Sequence, residues 1–170
     1  MLVYLKKVKR ALERLKKNEE LVVDIDKLRQ ELEADEGNVH AIYLDHLNLP
    51  TFGIGHLVLD SDPEYGQPVG TPVSEERVNS CFDSDIQGTI TDCKNLFDNF
   101  DDLPEEAQLI LCNMMYNLGY TRLSKFSKLR ASLSIMDFTE CANQMYDSKW
   151  RTQVPNRAER LINRMKALGA

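Results

Sequence analysis

Residues 36–56 read E-G-N-V-H-A-I-Y-L-D-H-L-N-L-P-T-F-G-I-G-H. The run before them, L-R-Q-E-L-E-A-D (28–35), consists of helix formers with Leu28 and Leu32 four apart on one face. Gly37 is the residue type that ends helices, so the helix stops with Glu36 at its C-terminal edge. A carboxyl there meets the partial negative charge of the helix end, which favours the protonated form a general acid requires. Ala41-Ile42-Tyr43-Leu44 reads as a short strand, and D-H-L-N-L-P (45–50) as a hairpin turn that exposes Asp45 to water as an ionised carboxylate. Asn48 tolerates a left-handed turn position, and Gly53 and Gly55 let the returning backbone bend or approach a ligand closely. Two carboxyls in unlike surroundings, nine residues apart, with Thr51 six residues further on, are a recurring arrangement for glycoside hydrolysis. Taken singly, Glu36 reads as an ordinary helix-surface carboxylate, Asp45 as an ordinary turn residue and Thr51 as an ordinary strand residue. The combination carries the reading.

Downstream, residues 60–72 are rich in Asp, Pro and Gly and read as a loop. Ser74 followed by Glu75 and Glu76 is an N-cap with acids in the first turn. From there Val78, Cys81, Phe82, Ile86, Ile90, Cys93 and Leu96 keep a helical stripe, which predicts one long helix over residues 75–97. Pro104 opens the next helix, which runs through Leu109, Leu111, Met114 and Met115 to Leu118 and ends at Gly119. Shorter helices are expected around Phe126–Leu133 and Phe138–Tyr146, and a last one from Arg157 to Leu168 with Ala158, Leu161, Ile162 and Met165 inward. The expected fold class is α+β and mostly α-helical. It has a small β-hairpin sheet in a lobe of residues 21–73, a long connecting helix at 75–97 and a helical lobe at 98–170.

The 170 residues are 42 % hydrophobic, enough for one sizeable core or two small lobes. No apolar run approaches the roughly 20 residues of a bilayer span, and the beginning of the chain lacks the apolar core of a signal peptide. Synthesis in a host cytoplasm is the expectation. Cys81, Cys93, Cys112 and Cys141 show no C-x-x-C spacing and fall on apolar helix positions, so they read as buried free thiols and not as a disulfide framework or zinc ligands. Charge is uneven. Residues 1–17 hold seven Lys and Arg against Glu13 alone, a balance of +6, so the rest of the chain carries −12 of the total −6. Leu5, Val8, Leu12 and Leu15 recur at helical spacing in that arm, which makes residues 1–20 a basic amphipathic extension. It reads either as a helix packed on its own domain or a partner subunit, or as a segment for an anionic wall, a membrane surface or a structural partner.

Behind the E-x8-D-x5-T spacing, T-F-G-I-G-H (51–56) resembles the catalytic segment of the T-even phage lysozymes, glycoside hydrolase family twenty-four. N-M-M-Y-N-L-G (113–119) resembles that family's central helix and S-K-W-R-T-Q-V-P-N-R-A (148–158) its closing motif, so the similarity covers roughly residues 25–168. Three motifs in order at consistent separations make it specific. It implies a lysozyme-like two-lobed fold and a muramidase that hydrolyses the β-1,4 bond between N-acetylmuramic acid and N-acetylglucosamine in peptidoglycan. No cofactor, metal or nucleic acid is implied, and a monomer is expected.

By that resemblance Glu36 is the general acid, and Asp45 with Thr51 positions or activates water on the opposite face of the sugar. Such a mechanism inverts the anomeric centre and sets the carboxyls about 6.5 to 9.5 Å apart. Leu57, Tyr116, Asn117, Leu129 and Gln144 match substrate-contacting positions, although the family has glutamine where Asn117 stands. His56 pairs with Asp85 on the connecting helix, and Arg157 faces the catalytic glutamate and holds its carboxyl. Trp150, the single tryptophan, reads as core filler. Two features depart from the family. The hairpin carries Asn48-Leu49-Pro50 where relatives often show a glycine and tyrosines, and the body is acidic where the best-known relatives are strongly basic. The expected role is a phage lysis endolysin that acts on the periplasmic wall after release. The rivals are a virion tail or baseplate lysozyme module, and a catalytically decayed wall-binding protein, which the presence of Glu36, Asp45 and Thr51 argues against.

Overall fold

The computed structural model describes residues 23–170; the basic arm, with its expected amphipathic helix, lies outside the described residues. The element order is α1 (Ile25–Glu36), β1 (Val39–Leu44), β2 (Pro50–Gly53), β3 (His56–Leu57), α2 (Glu75–Leu96), a 3-10 turn (Phe100–Asp102), α3 (Glu105–Leu118), α4 (Tyr120–Leu123), α5 (Ser127–Ser134), α6 (Phe138–Tyr146), α7 (Lys149–Gln153) and α8 (Pro155–Leu168). This is the expected α+β, mostly helical, lysozyme-like fold with a small antiparallel sheet. Strand β1 begins two residues earlier than its alternation indicated, and α8 begins at Pro155, whose fixed φ suits a first helical turn. The short helices α4 and α7 were not legible as periodic patterns, because four or five residues make little more than one turn.

The chain divides into two compact units. One comprises residues 25–96 with 112–125, and the described part of the other comprises residues 23–24, 97–111 and 126–170. The division differs from the expected lobes. The long helix α2 belongs wholly with the hairpin, and so does the second half of α3.

In the hairpin unit, α1 buries Leu28 and Leu32 completely, each burial contributing about 1.5–3 kcal/mol. The helix ends as its glycine predicts. Gly37 has φ +80° and its amide donates to the Glu33 carbonyl at 2.9 Å, the single-bond left-handed cap. The three strands lie in the order β1-β2-β3. Tyr43 pairs with Thr51 and Thr51 with Leu57, while Phe52 pairs with His56. Directly paired residues share a face, so Tyr43, Thr51 and Leu57 form a row across the sheet. Phe52 points the other way, into a core cluster with Ile42, Val58, Val73, Val78 and Cys81. Ser74 caps α2 as expected, its hydroxyl accepting from the Arg77 amide at 3.1 Å.

In the helical unit α6 packs on α8 and α5. Leu129, Leu133, Cys141, Met145, Trp150, Ala158, Leu161 and Met165 are buried, which bears out the inward stripe of α8 and the core role of Trp150. Gln108 is buried among them and is satisfied, because its amide donates to the carbonyls of Phe100 and Leu103 at 3.1 Å each. All four cysteines are free and buried.

Candidate active site

Glu36 is the last residue of α1, the helix edge that the glycine stop anticipates. The chain returns past it at Gly55, whose φ is +70°. A Cβ at Gly55 would stand 3.4 Å from Glu36 Cβ, Cγ and Oε2, so the hairpin backbone lies flat against the carboxyl.

Asp45 is held differently. Its Oδ1 accepts from the amides of Leu47 at 2.8 Å and Leu49 at 2.9 Å, and its own amide donates to the Leu49 carbonyl at 3.0 Å. Asn48 sits in this turn with φ +61°, the left-handed position its side chain tolerates. Asp45 is therefore half-buried and not simply exposed, since the turn wraps its carboxylate from one side. Thr51 is 4 % exposed and its hydroxyl donates to the Leu49 carbonyl at 3.0 Å. With the hydroxyl proton committed there, the lone pairs of Oγ1 can accept from a water. One residue, Leu49, thus organises both Asp45 and Thr51 through its backbone N–H and C=O.

Tyr43 joins these pieces. It is half-buried opposite Thr51 in the register, and its phenol is raised above 10.0 first by burial and then by the negative charges of Glu36 and Asp45. Both carboxylates therefore act on one phenol. Tyr43, in the strand two residues before Asp45, was not singled out in the sequence.

His56 Nδ1 is 2.7 Å from Asp85 Oδ2, the expected pair. A second partner was not foreseen: His56 Nε2 is 3.1 Å from Asp62 Oδ2. Asp62 Oδ2 also accepts from the Leu59 amide at 2.8 Å, and its Oδ1 meets Arg77 Nη2 at 2.8 Å. Arg77 in turn grips Glu64 through two nitrogens, at 3.0 and 2.9 Å. Burial works against a charged His56, but the hydrogen bonds and charges of Asp85 and then Asp62 outweigh it, and the imidazole is raised above 6.5. Burial likewise opposes ionisation of Asp62. The Leu59 amide, His56 and Arg77 together still hold its carboxyl below 3.8.

A cavity of about 370 Å³ opens in this unit, bounded by Gly55, His56, Leu57, Asp85, Met115 and Tyr116 among others. Leu57 is 43 % exposed and Tyr116 half-buried, so two of the sequence-predicted substrate contacts meet in one recess. Asn117 is half-buried on α3 and does not line it. Leu129 and Gln144 belong to the helical unit. Leu129 is 1 % exposed on α5, buried in its own unit. Gln144 is half-buried, with its amide donating to Glu140 at 2.6 Å. Arg157 is buried in the first turn of α8, also in the helical unit. Among the described residues no group of three or more His, Cys, Asp or Glu is arranged to hold a metal ion, and no helix is long and apolar enough to cross a membrane.

Comparison with known proteins agrees with this geometry. Residues 33–167 match the model of the phage lysozyme family. "Probable T4-type lysozyme 2" of Dictyostelium discoideum is 27 % identical over 82 % of this chain and 93 % of its own length, and "Probable T4-type lysozyme 1" of the same organism is 23 % identical over the same shares. The pre-baseplate central spike protein Gp5 of Enterobacteria phage T4 is 24 % identical over 76 % of this chain, which corresponds to 26 % of that protein. With a family match over most of its length, an acid at the end of α1 and a second carboxylate in the hairpin turn, the chain belongs to the phage lysozyme family and is a lysozyme hydrolase.

Proposed function

We propose that this lysozyme is a muramidase that cleaves the bond between N-acetylmuramic acid and N-acetylglucosamine in peptidoglycan with inversion of configuration. Glu36 protonates the glycosidic oxygen, while Asp45 and Thr51 hold and activate a water on the opposite face of the sugar. The observation that supports this best is geometric: Glu36 ends α1 against the Gly55 backbone, while Asp45 and Thr51 are both hydrogen-bonded to Leu49 in the turn of the same hairpin. Leu57 and Tyr116 present the apolar and aromatic surface that sugar rings pack on, with Asn117 and Gln144 as amide contacts from their own elements. Glu36→Gln keeps the shape and removes the transferable proton, so clearing of a peptidoglycan suspension falls by at least about 100-fold. Near-normal clearing by that variant overturns the assignment.

The main biological reading is a lysis endolysin made in a host cytoplasm and acting on the wall after release. A tail-associated role is the second reading, favoured by the similarity to the pre-baseplate spike protein. Quantifying the chain in purified particles against the soluble lysate separates the two. Residues 1–17 are proposed to dock on an anionic wall, a membrane surface or a structural partner, and the catalytic part to act as a monomer.

A further inference from the structure

Helix α3 touches the surroundings of Glu36 at two points one turn apart. Asn113, fully buried, donates from Nδ2 to Asp35 Oδ2 at 3.0 Å. Tyr116 donates from its hydroxyl to the Ile54 carbonyl at 2.5 Å. Residues three apart share a helix face, so both bonds leave α3 on the same side. Asp35 is the residue before Glu36, and Ile54 is the residue before Gly55, whose backbone lies against the Glu36 side chain. The carboxyl is thus bounded by two segments, the end of α1 and the G-I-G turn of residues 53–55, and α3 is bonded to each.

We infer that Tyr116 is a positioning residue for the general acid: its hydroxyl fixes the Ile54 carbonyl, and with it the Gly55 backbone that sets the orientation of the Glu36 carboxyl. This rests on the reading of Glu36 as the acid. The contact is long-range, spanning 62 residues in sequence, and it lies entirely within the hairpin unit. Gly53 and Gly55 both have positive φ, so the turn between them is built from the residue type with the widest backbone freedom. A turn of that composition gains most from an external tether. Asn113 bonds the helix side through Asp35, and the tyrosine ring lines the recess.

The two roles of the Tyr116 side chain separate experimentally. Tyr116→Phe keeps the ring and removes only the donor. On soluble uncross-linked glycan strands its kcat falls by about 10-fold, the loss expected when an acid drifts by a fraction of an ångström, while KM stays within about twofold. In the full chain the ¹³C resonance of the Glu36 carboxyl moves and that of Asp45 does not. A raised KM with unchanged kcat overturns the inference, because the hydroxyl is then a substrate contact; unchanged kcat and unchanged resonances overturn it as well. If the phenylalanine variant does not fold, 3-fluorotyrosine at position 116 keeps the hydroxyl and alters its donor strength. A coupled change in kcat and in the Glu36 resonance then supports the tether, and invariance of both overturns it. Glu36→Gln is measured beside these variants. Activity retained there defeats the reading of Glu36 itself, whereas an inactive Glu36→Gln with an unimpaired Tyr116→Phe defeats only the tether.

Discussion

Asp45 and Leu49 are bonded to each other in both directions: the Asp45 amide donates to the Leu49 carbonyl at 3.0 Å, and the Leu49 amide donates back to Asp45 Oδ1 at 2.9 Å. The carboxylate proposed to work on water is therefore also the clasp of its own turn, and the two jobs use separable chemistry. Asp45→Asn retains an acceptor oxygen for the Leu47 and Leu49 amides but not the negative charge. It keeps the melting temperature within about 2 °C and loses most lytic activity. Asp45→Ala loses both, and its melting temperature falls by about 2–6 °C for the roughly 1–1.5 kcal/mol of turn bonds removed. Calorimetry and turbidity assays on the two variants check the split; equal melting temperatures for Asn and Ala contradict it.

The His56 network gives stability a pH signature. His56 is raised above 6.5, so its contribution is present below that pH and is lost as pH climbs through the raised value. Asp62 is lowered below 3.8, so its contribution is present above that pH and is lost as pH falls through the lowered value. The two overlap in mildly acidic solution. Asp62→Asn and Asp85→Asn each lower the melting temperature more at pH about 5.5 than at a higher pH beyond the raised value of His56. Asp62→Asn keeps a residual cost at the higher pH, since Asp62 also holds Arg77 and the Leu59 amide. A loss independent of pH for both variants shows that the ion pairs contribute nothing.

Gly53 has φ +62°, and a Cβ there would stand 3.0 Å from Val78 Cγ1. Gly53→Ala meets both penalties at once, left-handed strain of about 1–2 kcal/mol and a crowded contact with α2. Truncating Val78, itself 1 % exposed, opens space on that side only. In a double-mutant cycle Gly53→Ala and Val78→Ala are accordingly less than additive, by about 0.5 kcal/mol or more. Strict additivity in denaturant melts contradicts the close approach.

The thiols are protected by burial. Cys81 is pushed up to about 11, mainly by burial, and Cys93 is raised by its hydrogen bond with Cys112 and then by burial. Native protein at pH about 8 reacts with a disulfide reagent far more slowly than protein in guanidinium, which releases all four thiols. Rapid stoichiometric labelling of the native chain contradicts the placement of these helices.

Sequence alone determined whatever is set by neighbours along the chain. The glycine stop behind Glu36, the Ser74 cap, the left-handed Asn48 and the inward stripe of α8 each depend on a few adjacent residues, and each appears where the residue type requires it. The spacing of Glu36, Asp45 and Thr51 was legible in the sequence, whereas the roles proposed for them and the His56–Asp85 pair came from three motifs that together resembled a family. Tertiary structure decided the rest. That Asp62 would take the second nitrogen of His56, that Tyr43 would feel both carboxylates, and that Tyr116 would reach Ile54 all depend on segments that no local propensity brings together. The same applies to Leu129, whose apolar side chain suits a core and a sugar surface equally well in the sequence. Packing of α5 into its own unit buried it, because apolar area is stabilised by removal from water wherever the fold provides a partner surface.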